Sequence, residues 1–186
     1  KEEPTHIAVA FDHPEKTNRQ KGFAEYKANR PTMPEELQPQ IEIIKSVVKA
    51  LNIPQFEIPG FEADDLIGTI NRTVESLDKE LLTLILTGDK DMFQLVDNDT
   101  HVYMPGRGKF QQDKEYDIEA VKEKMGVTPE QVPDLKGLMG DSSDNIPGVK
   151  GIGPKTASAL IQAFDTIEGV YEALEKDDPN PVFTPS

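Results

Sequence analysis

The sequence predicts an α/β fold, a three-layer domain around a parallel-rich sheet. Three observations carry that prediction. Residues 5–11 (THIAVAF) and 81–86 (LLTLIL) are apolar runs with little alternation, as in strands buried on both faces. Strand-like runs alternate along the chain with helical apolar stripes, the order that builds a parallel sheet. The 186 residues also suffice for one domain with a real core.

Taken in order, the 5–11 strand ends at Asp12, on the edge where open α/β sheets bind ligands; a lone acid there also serves as a loop cap. Residues 13–30 are net positive, with Lys16, Arg19, Lys21, Lys27 and Arg30 against Glu15 and Glu25, and hold Phe23 and Tyr26. Basic residues interleaved with aromatics suit a phosphate backbone and stacked bases, or else form a solvated loop. A helix is expected from Pro34, with the stripe Leu37, Ile41, Ile44, Val48 and Leu51, in a structural role. A short strand at 55–58 closes at Pro59-Gly60. Next comes a helix opened by Glu62, Asp64 and Asp65, with Leu66, Ile67, Ile70, Val74 and Leu77 as its apolar positions. Acids in a first turn complement the helix dipole, but three exceed what capping needs.

The run 81–86 reads as the central strand. It ends in Thr87-Gly88-Asp89-Lys90-Asp91, and a helix with Met92, Leu95 and Val96 follows. Residues 100–104 alternate as another strand, and 105–114 form a loop with Arg107 and Lys109. Residues 117–125 make a helix stopped by Gly126, and Thr128-Pro129-Glu130 opens the next. In 138–157 (LMGDSSDNIPGVKGIGPKTA), Asp141 and Asp144 sit beside Gly140. Glycines at 148, 151 and 153 then predict a tight turn with outward-facing N–H groups, a phosphate clamp. An apolar helix follows at Ala157, Leu160, Ile161 and Phe164. A short helix covers 168–175, and 177–186 is a proline-rich tail or linker.

Composition narrows the class. The net charge is −14 and the mean hydropathy −0.53, unfavourable for a general polyanion binder. Contact with nucleic acid must then be local and cation-assisted. There is no cysteine, so no disulfide or thiolate metal site, and His6, His13 and His101 show no ligand spacing. No run of 18 apolar residues or basic-then-apolar leader is present, and the reading is a soluble, cytoplasmic chain with no membrane partner. The start, without Met and close to a buried strand, reads as a fragment or processed end.

The acids fall in four groups: Asp12; Glu62, Asp64 and Asp65; Asp89 and Asp91; Asp141 and Asp144. Eight carboxylates converge only if cations compensate them, and all-oxygen ligation selects Mg²⁺ or Mn²⁺. Two such ions about 4 Å apart suit in-line displacement at phosphorus. Together with the basic segment and the glycine turn, this predicts metal-dependent phosphodiester chemistry on nucleic acid.

EYKANRP (25–31), GFEADDLIG (60–68), TGDKDMFQL (87–95) and GDSSDNIPGVKGIGPKTA (140–157) resemble, in order, the 5′ nuclease domain of bacterial DNA polymerase I, in the flap-endonuclease family. The resemblance implies a PIN-like α/β core with a helical arch and a C-terminal helix–hairpin–helix. It implies a core over 1–137 with the arch at 13–34, the helix–hairpin–helix at 138–176 and a tail after it. The implied activity is Mg²⁺-dependent 5′–3′ exonuclease and flap-endonuclease cleavage, by two metal ions, of DNA bearing a 5′ flap, nick or RNA primer in replication and repair. By motif, Asp12, Glu62, Asp64, Asp65, Asp89, Asp91, Asp141 and Asp144 are the implied metal acids. Asp12, Arg19, Tyr26, Lys27 and Arg30 are the implied catalytic set. Gly148, Val149, Lys150, Gly151, Ile152, Gly153, Lys155 and Thr156 are the implied DNA contacts, with K⁺ on the turn carbonyls as in relatives. A linked polymerase and a nucleoid-associated bacterial location also follow from the likeness. Relatives differ in beginning with an earlier strand ending in Asp-Gly and in reading Thr-Phe-Arg where this chain has Thr17-Asn18-Arg19. A second reading is a branched-DNA-binding module without turnover; a third takes the acids as a solvated surface.

Overall fold

The computed structural model describes residues 3–78, 80–106 and 112–176. Arg107, Lys109 and the expected tail at 177–186 lie outside them. The chain divides into two units, residues 1–70 with 143–145, and residues 71–142 with 146–186.

In the first unit, β1 (Val9–Ala10) pairs in parallel with β2 (Gln55–Phe56), Val9 opposite Gln55. The strand expected over 5–11 is thus only two residues long, although Phe11 N–H still donates to Phe56 O at 2.8 Å. α1 (Asn18–Gly22) forms inside the basic segment because Thr17 and Gln20 make a reciprocal capping box. α2 (Gln38–Ala50) starts four residues later than Pro34. Pro39 has no N–H to donate back to Glu35, so residues 35–37 remain a turn. None of its residues is buried: Leu37, Ile44 and Leu51 of the expected stripe are exposed, Ile41 and Val48 half-buried. Lys45 ties it to β2's flank, with Nζ 2.7 and 2.8 Å from the Glu57 carboxylate and over the Phe11 ring. α3 (Ala63–Leu77) begins where the acids predict, and the boundary between units falls within it, after Ile70.

In the second unit, β3 (Thr83–Leu86) runs parallel to β4 (Thr100–Met104), which pairs antiparallel with β5 (Lys114–Tyr116), a strand the sequence did not announce. The order β3-β4-β5 makes β4 the middle strand; β3, read as central from its apolar run, is at an edge among the described residues, with Leu86 exposed. The parallel pairing expected of one sheet is divided between two ladders, β1–β2 and β3–β4. A 3₁₀ helix, Lys90–Leu95, follows β3 and inserts Met92 and Phe93 into the core. The Phe93 and Tyr116 rings lie 4.6 Å apart. Buried Thr100 donates from its hydroxyl toward Asn71 and Glu75, so its polar atom is matched.

α4 (Ile118–Met125) is bounded as its residues dictate: Asp117 accepts from Ala120 N–H at 2.8 Å, and Gly126 ends it at φ 76°. α5 (Val132–Met139) follows a 3₁₀ turn, Pro129–Gln131, and buries Val132, Leu135 and Leu138. A small antiparallel ladder comes next, β6 (Gly140–Asp141) with β7 (Ile146–Pro147). α6 (Pro154–Phe164) and α7 (Ile167–Glu175) complete the unit, packing Ala157, Leu160, Ile161, Val170 and Ala173 inward.

The ladder exists because two glycines meet. Gly140 has φ 76° and ψ 177°, a region open essentially to glycine, and a Cβ there would lie 2.3 Å from Gly148 N. A Cβ on Gly148 would lie 2.2 Å from the Met139 carbonyl carbon. Gly140→Ala is therefore expected to cost at least about 3 kcal/mol, strain plus backbone clash. Urea unfolding followed by circular dichroism measures it, and a loss under about 1 kcal/mol would contradict this packing.

Candidate functional site

Each unit gathers its own acids around its own cations. In the first, the turn at residues 25–30 meets the tripeptide 143–145. Lys27 N–H donates to Asp144 O at 2.9 Å, Asn145 Nδ2 to Glu25 O at 2.8 Å, and Arg30 Nε to Ser143 O at 3.3 Å. Lys27 and Asn145 both sit in the left-handed region, at φ 56° and 58°. Asparagine visits this region readily, whereas for lysine it costs energy that the surrounding bonds must offset.

Tyr26 is buried, and its hydroxyl lies 2.9 Å from Glu62 Oε2 and 3.1 Å from Asp144 Oδ2. It has one hydrogen to donate and two carboxylates facing it. The negative charge is met instead by Lys27 Nζ on Glu62 Oε1 at 2.9 Å and by Arg30 Nη2 on Asp144 Oδ1 at 2.6 Å. Arg19 completes the set with a two-pronged pair to Asp65, at 2.7 and 2.6 Å. The electrostatics follow these contacts. The Arg19 hydrogen bond holds the Asp65 carboxyl below its usual range, against partial burial and with help from Glu62 N–H. Burial, then Glu62 and Asp144, push the Tyr26 phenol far above its usual value, so it stays protonated. Three carboxylates, Glu62, Asp65 and Asp144, thus face three cations, Arg19, Lys27 and Arg30.

Asp12 and Asp64 belong to this unit too. Asp12 is exposed and accepts Ala63 N–H at 2.7 Å, capping α3 from a distant strand end; Asp64 is half-buried in the same first turn. Asn18, where relatives were expected to carry an aromatic, donates its N–H to Gly60 O at 2.8 Å and lays its amide against Gly60.

In the second unit, Asp89 and Asp91 are on the 3₁₀ helix after β3, and Asp141 is on β6. Asp89 caps that helix, accepting Asp91 N–H at 2.9 Å. Asp91 and Asp141 bring carboxylate oxygens within 4.8 Å of each other. Both accept hydrogen bonds from the Lys136 ammonium, the Asp141 bond at 2.6 Å. Lys136 is a residue the sequence reading missed. Its one signal was position: a cation in the last turn of α5, five residues before Asp141. Burial raises the Asp91 carboxyl above its usual range even against Lys136, and Asp89 and Asp141 add to the rise. Lys136, against the burial that would lower it, is raised by its bonds to Asp141 and Asp91. Here two carboxylates, Asp91 and Asp141, share one ammonium.

Of the residues expected to contact DNA, Gly148 to Gly153 form the turn between β7 and α6 and Lys155 and Thr156 open α6, and all but half-buried Ile152 are exposed. Two N–H groups of the expected clamp are used internally: Val149 donates to Leu138 O at 2.8 Å and Ile152 to Val149 O at 3.0 Å. Gly151 has φ 87° with open space where a Cβ would go, so its glycine serves backbone conformation. Gly148 serves close packing instead. At the α6 N-terminus, Gly153 is the cap and no acid occupies the first turn, leaving Lys155 and Thr156 there.

Comparison with known proteins gives the family. The family model of the 5′-3′ exonuclease N-terminal resolvase-like domain matches residues 1–126, and that of the 5′-3′ exonuclease C-terminal SAM fold matches residues 127–182. The chain belongs to the 5′-3′ exonuclease family. It is 44% identical over 93% of its length to the DNA polymerase I of Lactococcus lactis subsp. cremoris, and 47% identical over 94% to that of Mycobacterium leprae. It spans about a fifth of the length of these relatives, 20% and 19%. Among solved structures it resembles bacteriophage T5 5′-exonuclease with bound divalent metal ions (zinc), at 26% identity and TM-score 0.73, covering 91% of this chain and 64% of that one. A T5 D15 flap endonuclease complex with DNA and metal ions matches equally well, at 26% identity, TM-score 0.73 and the same coverage. The fold is therefore the family's α/β, PIN-like resolvase domain followed by a helical SAM-fold part. No helix among the described residues is long and apolar enough to cross a membrane.

Tyr26→Phe removes the hydroxyl between Glu62 and Asp144 without emptying the ring's place. It is expected to lower stability by about 1.5–3 kcal/mol, the range for hydrogen bonds to charged groups. Thermal unfolding with and without the substitution checks this.

Proposed function

We propose that this chain is the nuclease region of a longer protein and hydrolyses phosphodiester bonds at the 5′ side of flaps, nicks and RNA primers in DNA replication and repair. One observation carries the reading: in a chain of this family, Asp91 and Asp141 converge on a single cation, the Lys136 ammonium, with Asp89 beside them. The donors are all hard carboxylate oxygens, a set that fits Mg²⁺ or Mn²⁺ in place of an ammonium. In this proposal Asp12, Glu62, Asp64, Asp65, Asp89, Asp91, Asp141 and Asp144 are the acids that hold divalent ions, two in number. Such ions, when bound, activate water and stabilise the leaving oxygen.

The chain's own residues supply the rest. Arg19, Lys27 and Arg30 exchange carboxylate partners for phosphate oxygens and draw the strand toward the acids; guanidinium forks suit both anions equally. Tyr26 keeps its proton and holds Glu62 and Asp144 at fixed positions between strands of charge. The exposed turn from Gly148 to Gly153, with Lys150, Lys155 and Thr156, grips the duplex backbone, with K⁺ on its carbonyls. The proposed partner is branched DNA, with a covalently linked polymerase in the parent protein, in keeping with relatives named DNA polymerase I. The proposed location is the bacterial cytoplasm, at the nucleoid.

The test is a labelled 5′-flap duplex incubated with Mg²⁺ or with EDTA. Cleavage in Mg²⁺ alone is expected, and binding without any cleavage would leave a branched-DNA-binding module. Asp89→Asn is expected to lower turnover at least about 100-fold while DNA affinity stays within about threefold, as loss of an interaction made only in the transition state would do. Gly151→Val, which forces a β-branched residue to positive φ, is expected to weaken duplex binding several-fold in fluorescence anisotropy, and an unchanged affinity would remove the turn from the interface.

A further inference from the structure

Lys136 has no part in the sequence reading, yet it is the group on which two candidate metal ligands close. It lies on α5, rigidly placed by Leu135 and Leu138, which are 2% and 5% exposed on either side of it. Its side chain is half-buried and reaches Asp91, from the 3₁₀ helix after β3, and Asp141, from β6. It therefore joins three elements at one point. An ammonium surrounded by carboxylate oxygens resembles a divalent ion in charge sign and ligand type, but it is weaker in charge and tethered to the chain.

We propose that Lys136 is a resident counter-cation that a divalent ion must displace from Asp91 and Asp141. The inference rests on the metal-binding reading given under the proposed function and adds a positioning residue to it. Two carboxylates brought this close, with Asp89 beside them, repel unless a cation separates them. Without metal, Lys136 supplies that cation and keeps the ligands gathered in a half-buried site. When metal enters, the ammonium and the ion cannot both occupy the same oxygens. Uptake therefore carries the cost of breaking the Lys136 pairs, and metal affinity is set partly by a residue that coordinates nothing. The arrangement lowers metal affinity while preserving the geometry that metal requires.

The proposal has a sign that a merely structural lysine lacks. If Lys136 only propped the site, removing it would loosen the ligands and weaken metal binding. If it competes, removing its charge tightens binding. Mn²⁺ titration of the full chain by isothermal calorimetry, at low ionic strength and without DNA, separates the two. K136M keeps the apolar stem and loses the charge, and should bind Mn²⁺ on the order of 10-fold more tightly than wild type. K136R keeps the charge and should stay within about threefold of wild type. In EDTA, K136M should melt at lower temperature than wild type, and Mn²⁺ should raise its melting temperature by more.

A wild-type measurement removes any dependence on folding of the variants. Amine acetylation read by mass spectrometry should label Lys136 slowly without metal and faster with saturating Mn²⁺. A wild-type chain that takes up no Mn²⁺ overturns the metal-binding reading and the exchange with it. A wild-type chain that binds Mn²⁺, with K136M binding no tighter or Lys136 no more open to acetylation, overturns the exchange alone.

Discussion

Carboxylates can be packed side by side only if positive charge stands between them, and this chain meets that constraint with its own side chains. In the first unit three acids are each paired with a cation: Arg19 on Asp65, Lys27 on Glu62, Arg30 on Asp144, with the Tyr26 hydroxyl in the gap. The backbone adapts to it, since Lys27 adopts a left-handed conformation that is uncommon for a lysine. No buried side-chain nitrogen or oxygen among the described residues lacks a partner. In the second unit one lysine, Lys136, serves two acids, Asp91 and Asp141.

Such pairs are not a source of large net stability. Arg19 and Arg30 are about half exposed, and an exposed ion pair contributes little after its entropy is counted. What they contribute is position. A bidentate guanidinium fixes its partner's orientation, and a buried hydroxyl between two acids fixes their separation. The stability of the second unit comes from elsewhere, from Phe93, Val102, Val121, Val132, Ala157 and Ile161, all 1% exposed or less. The glycine contact between residues 140 and 148 then carries α5 into the turn that precedes α6.

Much of this was legible in the sequence where local chemistry decides. Asp117 and Gly126 bound α4, and the acids at 62–65 open α3, because capping depends on a few adjacent residues. Where tertiary context decides, the reading failed. The apolar run at 81–86 marks β3 as a strand but says nothing of its neighbours, and its edge position depends on pairing partners far away in the chain. β5 and the β6–β7 ladder are too short to show periodicity. The acids were found because several carboxylates recur beside glycines at element ends. Lys136 was not, because a lone lysine near a helix end is unremarkable until its two partners are seen. Val149 and Ile152 N–H were expected to face outward; their internal bonds could not be read from glycine spacing.

The exposed side of α2 has a physical cost of its own. Ile43, Ile44, Val47 and Leu51 meet water, and none of its thirteen residues is buried. Such a helix draws little cohesion from its surroundings beyond its half-buried Ile41 and Val48, the Lys45–Glu57 tie and the Gln55 amide on Lys45 O. It forms an oily ridge on a strongly acidic molecule. The two properties act against each other: collective charge keeps copies apart, and added salt, by screening it, leaves the ridge free to make them cohere.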